Sequence, residues 1–199
     1  MKINFSLLLI LFFLASSGVN AQKWRLNASG GIDVSEGAVG GTSGGIVTAR
    51  IGVGGGFDLE MNCSPVVSVQ LGVNYSQQGY GVAKESGDVG IGAINYVTVP
   101  LLLRLKATKN VYFLAGPQVG ILVTAKNKEN GEPVVDAKDF LASTDYYAVL
   151  GAGCRFNNNV FIDARYQYGF NNIADKIGQN LTNRYFSFRV GYSFPLGKK

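Results

Sequence analysis

The chain has 199 residues, of which 47% are apolar and 16% are charged, and its formal net charge is +5. This length fits one domain, and the apolar content excludes a disordered chain. The sequence contains no histidine, which excludes Ser-His-Asp catalysis and imidazole metal ligands. The 27 glycines, 10 tyrosines and 12 phenylalanines, set in alternation with polar residues, indicate an all-β protein.

Residues 1–21 have the pattern of a cleaved secretory signal peptide. Lys2 supplies the positive charge, residues 3–15 form the apolar segment, and residues 19–21 are a small-residue cleavage site. An uncleaved membrane anchor is the alternative, but the apolar run is shorter than the roughly 17–25 residues that a spanning helix needs. The cleavage site is followed by Gln22 rather than by cysteine, which argues against a lipid anchor. We therefore predict one mature domain over residues 22–199.

Period-two alternation predicts eight strands in this domain. In residues 67–75 every odd position is apolar or aromatic and every even position is polar or glycine. The predicted strands are 24–32, 47–59, 67–75, two strands within 94–124, then 145–156, 160–170 and 184–194. Short turns are expected near Asn62 and Pro65, at 107–110 and at 157–159, and long loops at 33–45, 77–93, 126–144 and 171–183. The alternation of long and short connections is typical of an up-and-down barrel.

The apolar face of such strands points inward in a soluble lipocalin-type barrel and outward in a membrane barrel. Glycine recurs in the middle of the polar face, for example at Gly54 and Gly153. A narrow eight-stranded lumen needs such space for large neighbours such as arginine and tyrosine. Aromatic residues also gather near the strand ends, as in the girdles of membrane barrels. We therefore predict an all-β, eight-stranded antiparallel transmembrane barrel in the outer membrane.

The polar face carries six arginines and, by this interpretation, only two acids. These residues are Arg25, Arg50, Arg104, Arg155, Arg165 and Arg189, with Asp58 and Asp163. Buried charges need partners, so we expect Arg–Asp pairs that form a polar network in the lumen. Because eight strands leave an interior just filled by side chains, a closed polar plug is the main interpretation. A weakly anion-selective pore is the alternative.

Two prolines fall inside the hairpin of residues 94–124. The facing assignments place Pro100 across from Gly116 and Val99 across from Pro117. Neighbouring pairs in an antiparallel ladder alternate in their bonding. One proline should therefore remove a bond from this hairpin and the other should weaken a flanking seam, so we expect a locally interrupted ladder.

The chain contains the segments NYVTVPLLLRL, FLAGPQVGILVTAK, GAGCRF, VFIDARYQYGFNNI and RYFSFRVGYSF. Together they resemble the PorT-like outer-membrane β-barrel family of Bacteroidetes over essentially the whole mature chain. The motif residues are Pro100, Gly116, Pro117 and Gln118, and the segment 163–166 is also specific. The resemblance implies an outer-membrane barrel of eight strands. By analogy alone it implies a role in the type IX secretion and gliding machinery, to which the founding member is linked.

The sequence offers little catalytic or metal-binding chemistry. Cys63 and Cys154 are too few for a disulfide framework, and we expect both to be unpaired, with Cys154 on a lipid-facing position. No acid pair has the pattern of a glycosidase, and no loop has that of an EF-hand. We therefore expect no enzyme activity, no cofactor and no metal site.

The expected function is that of a structural or accessory component of a cell-envelope or secretion assembly. A narrow passive channel, or a transporter of small solutes or hydrophobic molecules, is the alternative. Expected partners are outer-membrane lipid, lipopolysaccharide and other envelope proteins, but not nucleic acid. Five lysines in the predicted outer loops could meet lipopolysaccharide phosphates. They are Lys84, Lys126, Lys128, Lys138 and Lys176.

Overall fold

Eight long strands close into one antiparallel barrel. The computed structural model describes residues 24–40, 45–84, 89–128, 135–136, 138–174 and 180–196, so the predicted signal peptide lies outside the described residues. The strands are β1 (Trp24–Gly40), β2 (Gly45–Asn62), β3 (Val67–Lys84), β4 (Val89–Lys106), β5 (Val111–Lys128), the short β6 (Val135–Asp136), β7 (Thr144–Arg155), β8 (Val160–Gly169) and β9 (Asn180–Pro195). The long strands pair in chain order, and β9 pairs with β1. The predicted up-and-down barrel of eight strands is confirmed.

Side chains alternate along each strand between the lumen and the outer surface. In β3, Gln70 and Ser76 are buried in the lumen, whereas Leu71 and Val73 are exposed on the outside. Every long strand contributes large exposed apolar residues to the outer surface. The barrel is therefore polar inside and apolar outside, and the predicted orientation of the apolar face is confirmed.

The first five strands are longer than predicted, with 17 or 18 residues each. Most of the predicted loops 33–45 and 77–93 belong to strands, so only residues 41–44 and 85–88 separate β1 from β2 and β3 from β4. The prediction of four long outer connections is therefore wrong for the first two. Glycine and polar residues interrupt the apolar–polar alternation in these segments. They still form strands, because a segment with a neighbouring strand on each side can form its backbone hydrogen bonds whatever its side chains are.

Short connections of four residues lie at one end of the barrel, which we call the turn end. They are residues 63–66, 107–110 and 156–159, and the described part of the chain begins at Trp24 and ends at Leu196 at the same end. In the last of them Asn159 has a positive φ of 65°, a backbone conformation that asparagine tolerates better than most residues. The three predicted turns are confirmed. The opposite end, which carries the connections 129–143 and 170–179, is called the loop end.

The hairpin of β4 and β5 differs from the prediction in register. Pro100 pairs with Gln118 and Val99 with Val119, so the expected pairings of Pro100 with Gly116 and Val99 with Pro117 are wrong by two residues. Hydrogen bonds at the turn, including Ala107 N–H to Val111 C=O (3.0 Å), fix this register. The shift of two leaves every side chain on its expected face.

The ladder is nevertheless interrupted at both prolines. The β4–β5 pairs pass from Pro100↔Gln118 to Leu103↔Ala115, leaving out the two positions opposite Gly116 and Pro117. The β3–β4 pairs pass from Leu71↔Leu101 to Asn74↔Thr98, leaving out Pro100. One proline thus interrupts the hairpin and the other interrupts a flanking seam, as predicted, because proline lacks the N–H that the ladder requires.

Two loop segments fold over the loop end. Leu141, which follows the single turn of 3₁₀ helix at Lys138–Phe140, and Ile173 are buried together with Ile94, Tyr96 and Leu122. The Ala142 N–H donates to the Ile173 carbonyl (2.8 Å) and so joins the two segments. These residues form an apolar cap above the polar lumen. Among the described residues, no helix is both long enough and apolar enough to cross a membrane.

Candidate functional site: the barrel lumen

The charged network begins near the turn end, at Glu60 of β2. Its carboxylate oxygen Oε2 lies 2.5 Å from Arg155 Nη2 and 3.1 Å from Arg104 Nη1, and it accepts a hydrogen bond from Asn27 Nδ2 (3.1 Å). Arg104 also donates to Gln70 Oε1 (2.8 Å). One carboxylate of β2 therefore holds two arginines, one from β4 and one from β7.

Arg104 has a further contact that fills the lumen at this level. Its guanidinium carbon lies 4.0 Å from the centre of the Tyr112 ring, and the side chain is fully buried. Stacking of a guanidinium on an aromatic ring is favourable and is strongest when both groups are shielded from water. The planar Arg104 and Tyr112 groups thus block the lumen near its turn end.

A second group of charges lies in the middle of the lumen. Arg165 Nε donates to Asp163 Oδ1 (2.8 Å) and Arg165 Nη2 to Asp163 Oδ2 (3.0 Å), a two-point contact that suits the planar guanidinium. Arg165 Nη2 also lies 3.8 Å from Asp58 Oδ2. The Tyr112 hydroxyl donates to Asp163 Oδ2 (3.3 Å) and so connects this group with the Arg104 layer.

A third group lies closer to the loop end. Arg189 Nη2 lies 2.6 Å from Asp33 Oδ1, and the Ser76 hydroxyl donates to Asp33 Oδ2 (2.6 Å). Gln78 Nε2 donates to the Ser76 hydroxyl (3.1 Å), and the Tyr147 hydroxyl donates to Gln78 Oε1 (3.3 Å). Hydrogen bonds therefore continue from the first strand across the lumen to β7.

The lumen ends in a tyrosine-rich group beneath the apolar cap. Asn183 Nδ2 lies 3.3 Å from the Tyr96 hydroxyl, 3.4 Å from the Tyr147 hydroxyl and 3.4 Å from Asp145 Oδ2. Asp145 is fully buried. The Tyr147 and Tyr185 rings meet edge to face, with centroids 5.6 Å apart. Aromatic rings thus replace ion pairs as the main filling at this level.

The structure places the eight predicted network residues in two ways. Six of them meet inside the lumen: Asp58, Arg104, Arg155, Asp163, Arg165 and Arg189. Arg25 and Arg50 lie at the two ends and are half-buried. Arg25 Nη1 donates to Asn159 Oδ1 (3.1 Å) at the turn end, and Arg50 donates to the Gln78 carbonyl. Of the motif residues, Gln118 is buried and donates to the Tyr185 hydroxyl (2.7 Å).

The prediction that Asp58 and Asp163 are the only strand acids in the lumen is wrong. Asp33, Glu60 and Asp145 are also fully buried there. Two of them continue the alternation of their strands beyond the predicted ends: Glu60 follows Asp58 by two residues, and Asp33 follows Gly31. Asp145 is the first residue of the predicted strand 145–156, on the same face as Tyr147. Five buried acids thus accompany the four arginines that meet in the lumen (104, 155, 165 and 189), which explains how these arginines are accommodated away from bulk water.

Glycines provide the space that the charged network occupies. A Cβ atom added to Gly54 would lie 2.5 Å from Arg189 Nη2 and would collide with the Asp33 carboxylate. One added to Gly153 would lie 2.5 Å from Tyr112 Cζ. Both distances are far shorter than an ordinary van der Waals contact. These contacts confirm that mid-strand glycine makes room for large lumen side chains.

Neither the lumen nor the surface offers an obvious metal centre in the part of the chain that the structure describes. No group of three or more acidic, cysteine or histidine side chains is placed to hold a metal ion there. Cys63 and Cys154 both carry free thiols. The chemistry available in the lumen is therefore that of paired charges and hydrogen bonds.

A family model described as Outer membrane protein beta-barrel domain matches residues 17–175. The chain belongs to this outer-membrane β-barrel family. No curated protein sequence matches the chain. The barrel therefore lies in the outer membrane, which confirms the predicted location, and its apolar outer surface faces lipid.

Solved structures of outer-membrane barrels are similar in fold. Neisserial surface protein A is 12% identical, with a TM-score of 0.53, over 85% of this chain and 96% of its own. Ail, the attachment invasion locus protein of Yersinia pestis, solved with the heparin analogue sucrose octasulfate, is 18% identical with a TM-score of 0.49, over 87% of this chain and 100% of its own. OprG from Pseudomonas aeruginosa is 15% identical with a TM-score of 0.45, over 87% and 96% of the two chains. At 12% identity the likeness to Neisserial surface protein A shows the fold alone.

The lipid-facing surface of this outer-membrane barrel carries aromatic pairs towards both ends. Near the loop end Tyr166 packs on Phe186, with ring centroids 4.7 Å apart, and near the turn end Tyr192 packs on Phe194 at 4.7 Å. Amphipathic rings are favoured where the apolar part of a membrane meets its headgroups. The two belts therefore mark the edges of the apolar band.

Proposed function

We propose that this protein is a non-enzymatic outer-membrane barrel with a closed lumen, which serves as a structural or accessory component of a cell-envelope assembly. The observation that carries the proposal is the lumen filling: Arg104 and Tyr112 stack across the turn end, and the Arg165–Asp163 pair follows directly above them. A barrel of eight strands has an interior about as wide as its side chains. A closed lumen leaves the ends and the lipid-facing surface as the parts that can meet other molecules.

The more specific assignment follows from resemblance. The motif around Pro117 and Gln118 supports membership of the PorT-like group, and with it an accessory role in type IX secretion. Co-purification of the tagged protein from its own outer membrane, followed by identification of the bound envelope proteins, tests this assignment. Recovery of secretion components is the expected result, and recovery of lipid alone would contradict it.

Lipopolysaccharide is the second class of partner that we propose. Lys126 at the outer end of β5 and Lys138 in the loop that follows are exposed, in the region where outer-leaflet headgroups lie. The side chains of Lys84, Lys128 and Lys176 lie outside the described part of the chain.

The absence of histidine supports the non-enzymatic assignment, because the hydrolytic triads that barrels could display require that side chain.

Planar-bilayer recording of the purified barrel tests the closed lumen. We expect no steady conductance steps from the wild type. A variant with Arg104, Tyr112 and Arg165 replaced by serine removes the largest obstructing side chains and should conduct, provided that its heat-modifiable gel mobility shows a folded barrel. Steady steps from the wild type would overturn the closed lumen and would support the passive channel instead.

A further inference from the structure

One arginine faces lipid instead of the lumen. Arg184 of β9 lies on the same face as Phe186 and Phe188, and in register it lies opposite Tyr168 of β8. Its guanidinium carbon is 4.7 Å from the centre of the Tyr168 ring, and its Nη2 is 3.5 Å from the Tyr168 hydroxyl. Its Nε is buried without a hydrogen-bond partner. A guanidinium carries five N–H donors, so Arg184 brings a positive charge and hydrogen-bond donors to an otherwise apolar surface.

The height of Arg184 on the barrel places it at the edge of the apolar band. It lies eleven residues from Pro195, where β9 ends at the turn end, and opposite the last residues of β8. A strand tilted by about 40° rises roughly 2.5 Å per residue along the barrel axis. Arg184 is therefore roughly 27 Å from the turn end, against a band of about 25 Å. Phosphates of outer-leaflet lipids lie at this level.

A small cavity adjoins the Arg184 side chain. Its volume is about 230 Å³, and Arg184 is the charged member of its lining. The other lining residues are Val34, Ala49, Tyr166, Tyr185 and Phe186. The cavity thus combines a cation with apolar and aromatic walls, which suits the junction between a charged headgroup and its acyl chains.

A larger apolar groove of about 610 Å³ lies directly below, on the same lipid-facing surface. Its floor includes Ala152 and Ala164, while Phe188 and Ile162 form its sides. In register, Ala164 lies between Ala152 and Phe188, and Phe188 follows Phe186 on the same face of β9. The groove therefore continues from the cavity beside Arg184 towards the membrane interior.

We propose that this surface, from Arg184 down to Ala152, binds one phosphorylated, acylated lipid of the outer leaflet, of the lipid A type. Arg184 binds the phosphate, Tyr168 holds the guanidinium in place, and the groove takes an acyl chain. Charge complementarity favours such a lipid, because its phosphate brings negative charge to the level of Arg184 and its acyl chain matches the apolar groove. The inference rests on the outer-membrane location and on no property of the lumen.

Native mass spectrometry of the barrel in detergent, with added diphosphorylated lipid A, tests the site. We expect the wild type to retain one lipid A, and R184Q to bind it about tenfold more weakly. The A164F variant fills the groove and should weaken binding while Arg184 is intact. K109Q is the matched control, because Lys109 is an exposed basic residue in the turn at 107–110, at the opposite end of the barrel from Arg184, and lines neither cavity. Gel mobility with and without heating verifies folding of each variant.

The nature of the ligand is tested on the same preparations. Lipid A stripped of its phosphates should bind as weakly to the wild type as intact lipid A binds to R184Q, and phosphatidylglycerol should be retained less than lipid A. Inorganic phosphate alone should not displace the lipid, because it lacks the acyl chain. Equal retention of phosphatidylglycerol and lipid A, or displacement by phosphate, would overturn the assignment of a lipid A site.

Two further results would overturn the proposal. One is equal lipid A retention by the wild type, R184Q and A164F, or a loss in K109Q as large as that in R184Q. The other concerns Glu36, the register partner of Arg184 on β1. We expect E36Q to retain lipid A at least as well as the wild type. A loss equal to that of R184Q would indicate that Glu36 and Arg184 form a structural ion pair and that Arg184 does not bind the phosphate. Conductance, recorded separately, tests the closed lumen and does not bear on this result.

Discussion

Arg189 Nη2 lies 2.6 Å from Asp33 Oδ1, so an ion pair inside the lumen joins the first strand of the barrel to the last. β1 and β9 are neighbours only because the barrel is closed, and their residues are far apart in the chain. Both side chains are almost fully buried. A contact between residues that are so far apart in the chain reports directly on closure of the barrel.

Removal of one member of this pair should destabilise the barrel strongly. We expect Asp33→Asn or Arg189→Met to lower the free energy of unfolding by about 3–5 kcal/mol, because each leaves an unpaired buried charge. The double variant should cost clearly less than the sum. Urea unfolding in detergent micelles, followed by the fluorescence of the single tryptophan, measures all three.

Arg25→Met provides the comparison for the Asp33–Arg189 pair. Arg25 is half-buried and donates to the neutral Asn159, so its loss should cost no more than about 1 kcal/mol. If the effects of Asp33→Asn and Arg189→Met simply add in the double variant, the coupling free energy between them is zero. That result would contradict the view that Asp33 and Arg189 stabilise the barrel as a pair.

The sequence predicts which side chains enter the lumen, but not which of them meet. Parity along each strand places Arg104 and Arg155 inside, since it depends on local alternation alone. Their common partner Glu60 was missed because the predicted β2 ended one residue earlier, where the alternation weakens. Pairings such as Arg155 with Glu60 join residues 95 positions apart. They depend on strand tilt and on the closure of the barrel, which no local pattern contains.

The hairpin of β4 and β5 illustrates the same division. The faces of Pro100 and Gln118 follow from alternation, and the interruption of the ladder follows from proline chemistry. The register depends instead on the bonds that close the turn, such as Ala107 N–H to Val111 C=O. Several turn geometries are compatible with residues 107–110, so alternation determines only which face each residue occupies, and the predicted pairing was wrong by two residues.

Gly54→Ala should destabilise the barrel through the Asp33–Arg189 pair. The added methyl group would lie 2.5 Å from Arg189 Nη2 and still closer to Asp33. We expect a cost of about 1–3 kcal/mol from overpacking, measured by urea unfolding. Gly30→Ala is the matched control, because the nearest atom to its added methyl group is 4.0 Å away. Equal effects of the two variants would show that lumen space at Gly54 is not limiting.

The two free cysteines provide a test of which surface of the barrel faces lipid. Cys63 lies in a turn and Cys154 on the lipid-facing side of β7. In lipid vesicles open to reagent on both sides, a membrane-impermeant maleimide should modify Cys63 in C154S and leave Cys154 unmodified in C63S. In detergent, a lipid-soluble maleimide should reach Cys154. Labelling of Cys154 from water as fast as Cys63 would contradict the lipid-facing assignment.

The apolar cap at the loop end should open separately from the barrel. Ile173 is fully buried against Leu141 and Ile94, and burial of such a side chain contributes about 1.5–3 kcal/mol. In Ile173→Ser the cap should therefore open about 10- to 100-fold more often, since 1.4 kcal/mol corresponds to a factor of ten. Limited trypsin digestion of the folded barrel in detergent should show faster cleavage in the connection between β5 and β7, with unchanged heat-modifiable mobility. Phe140→Ser is the matched control, because Phe140 lies in the same connection and is 53% exposed. Cleavage of both variants at the wild-type rate would show that Ile173 does not hold the cap closed.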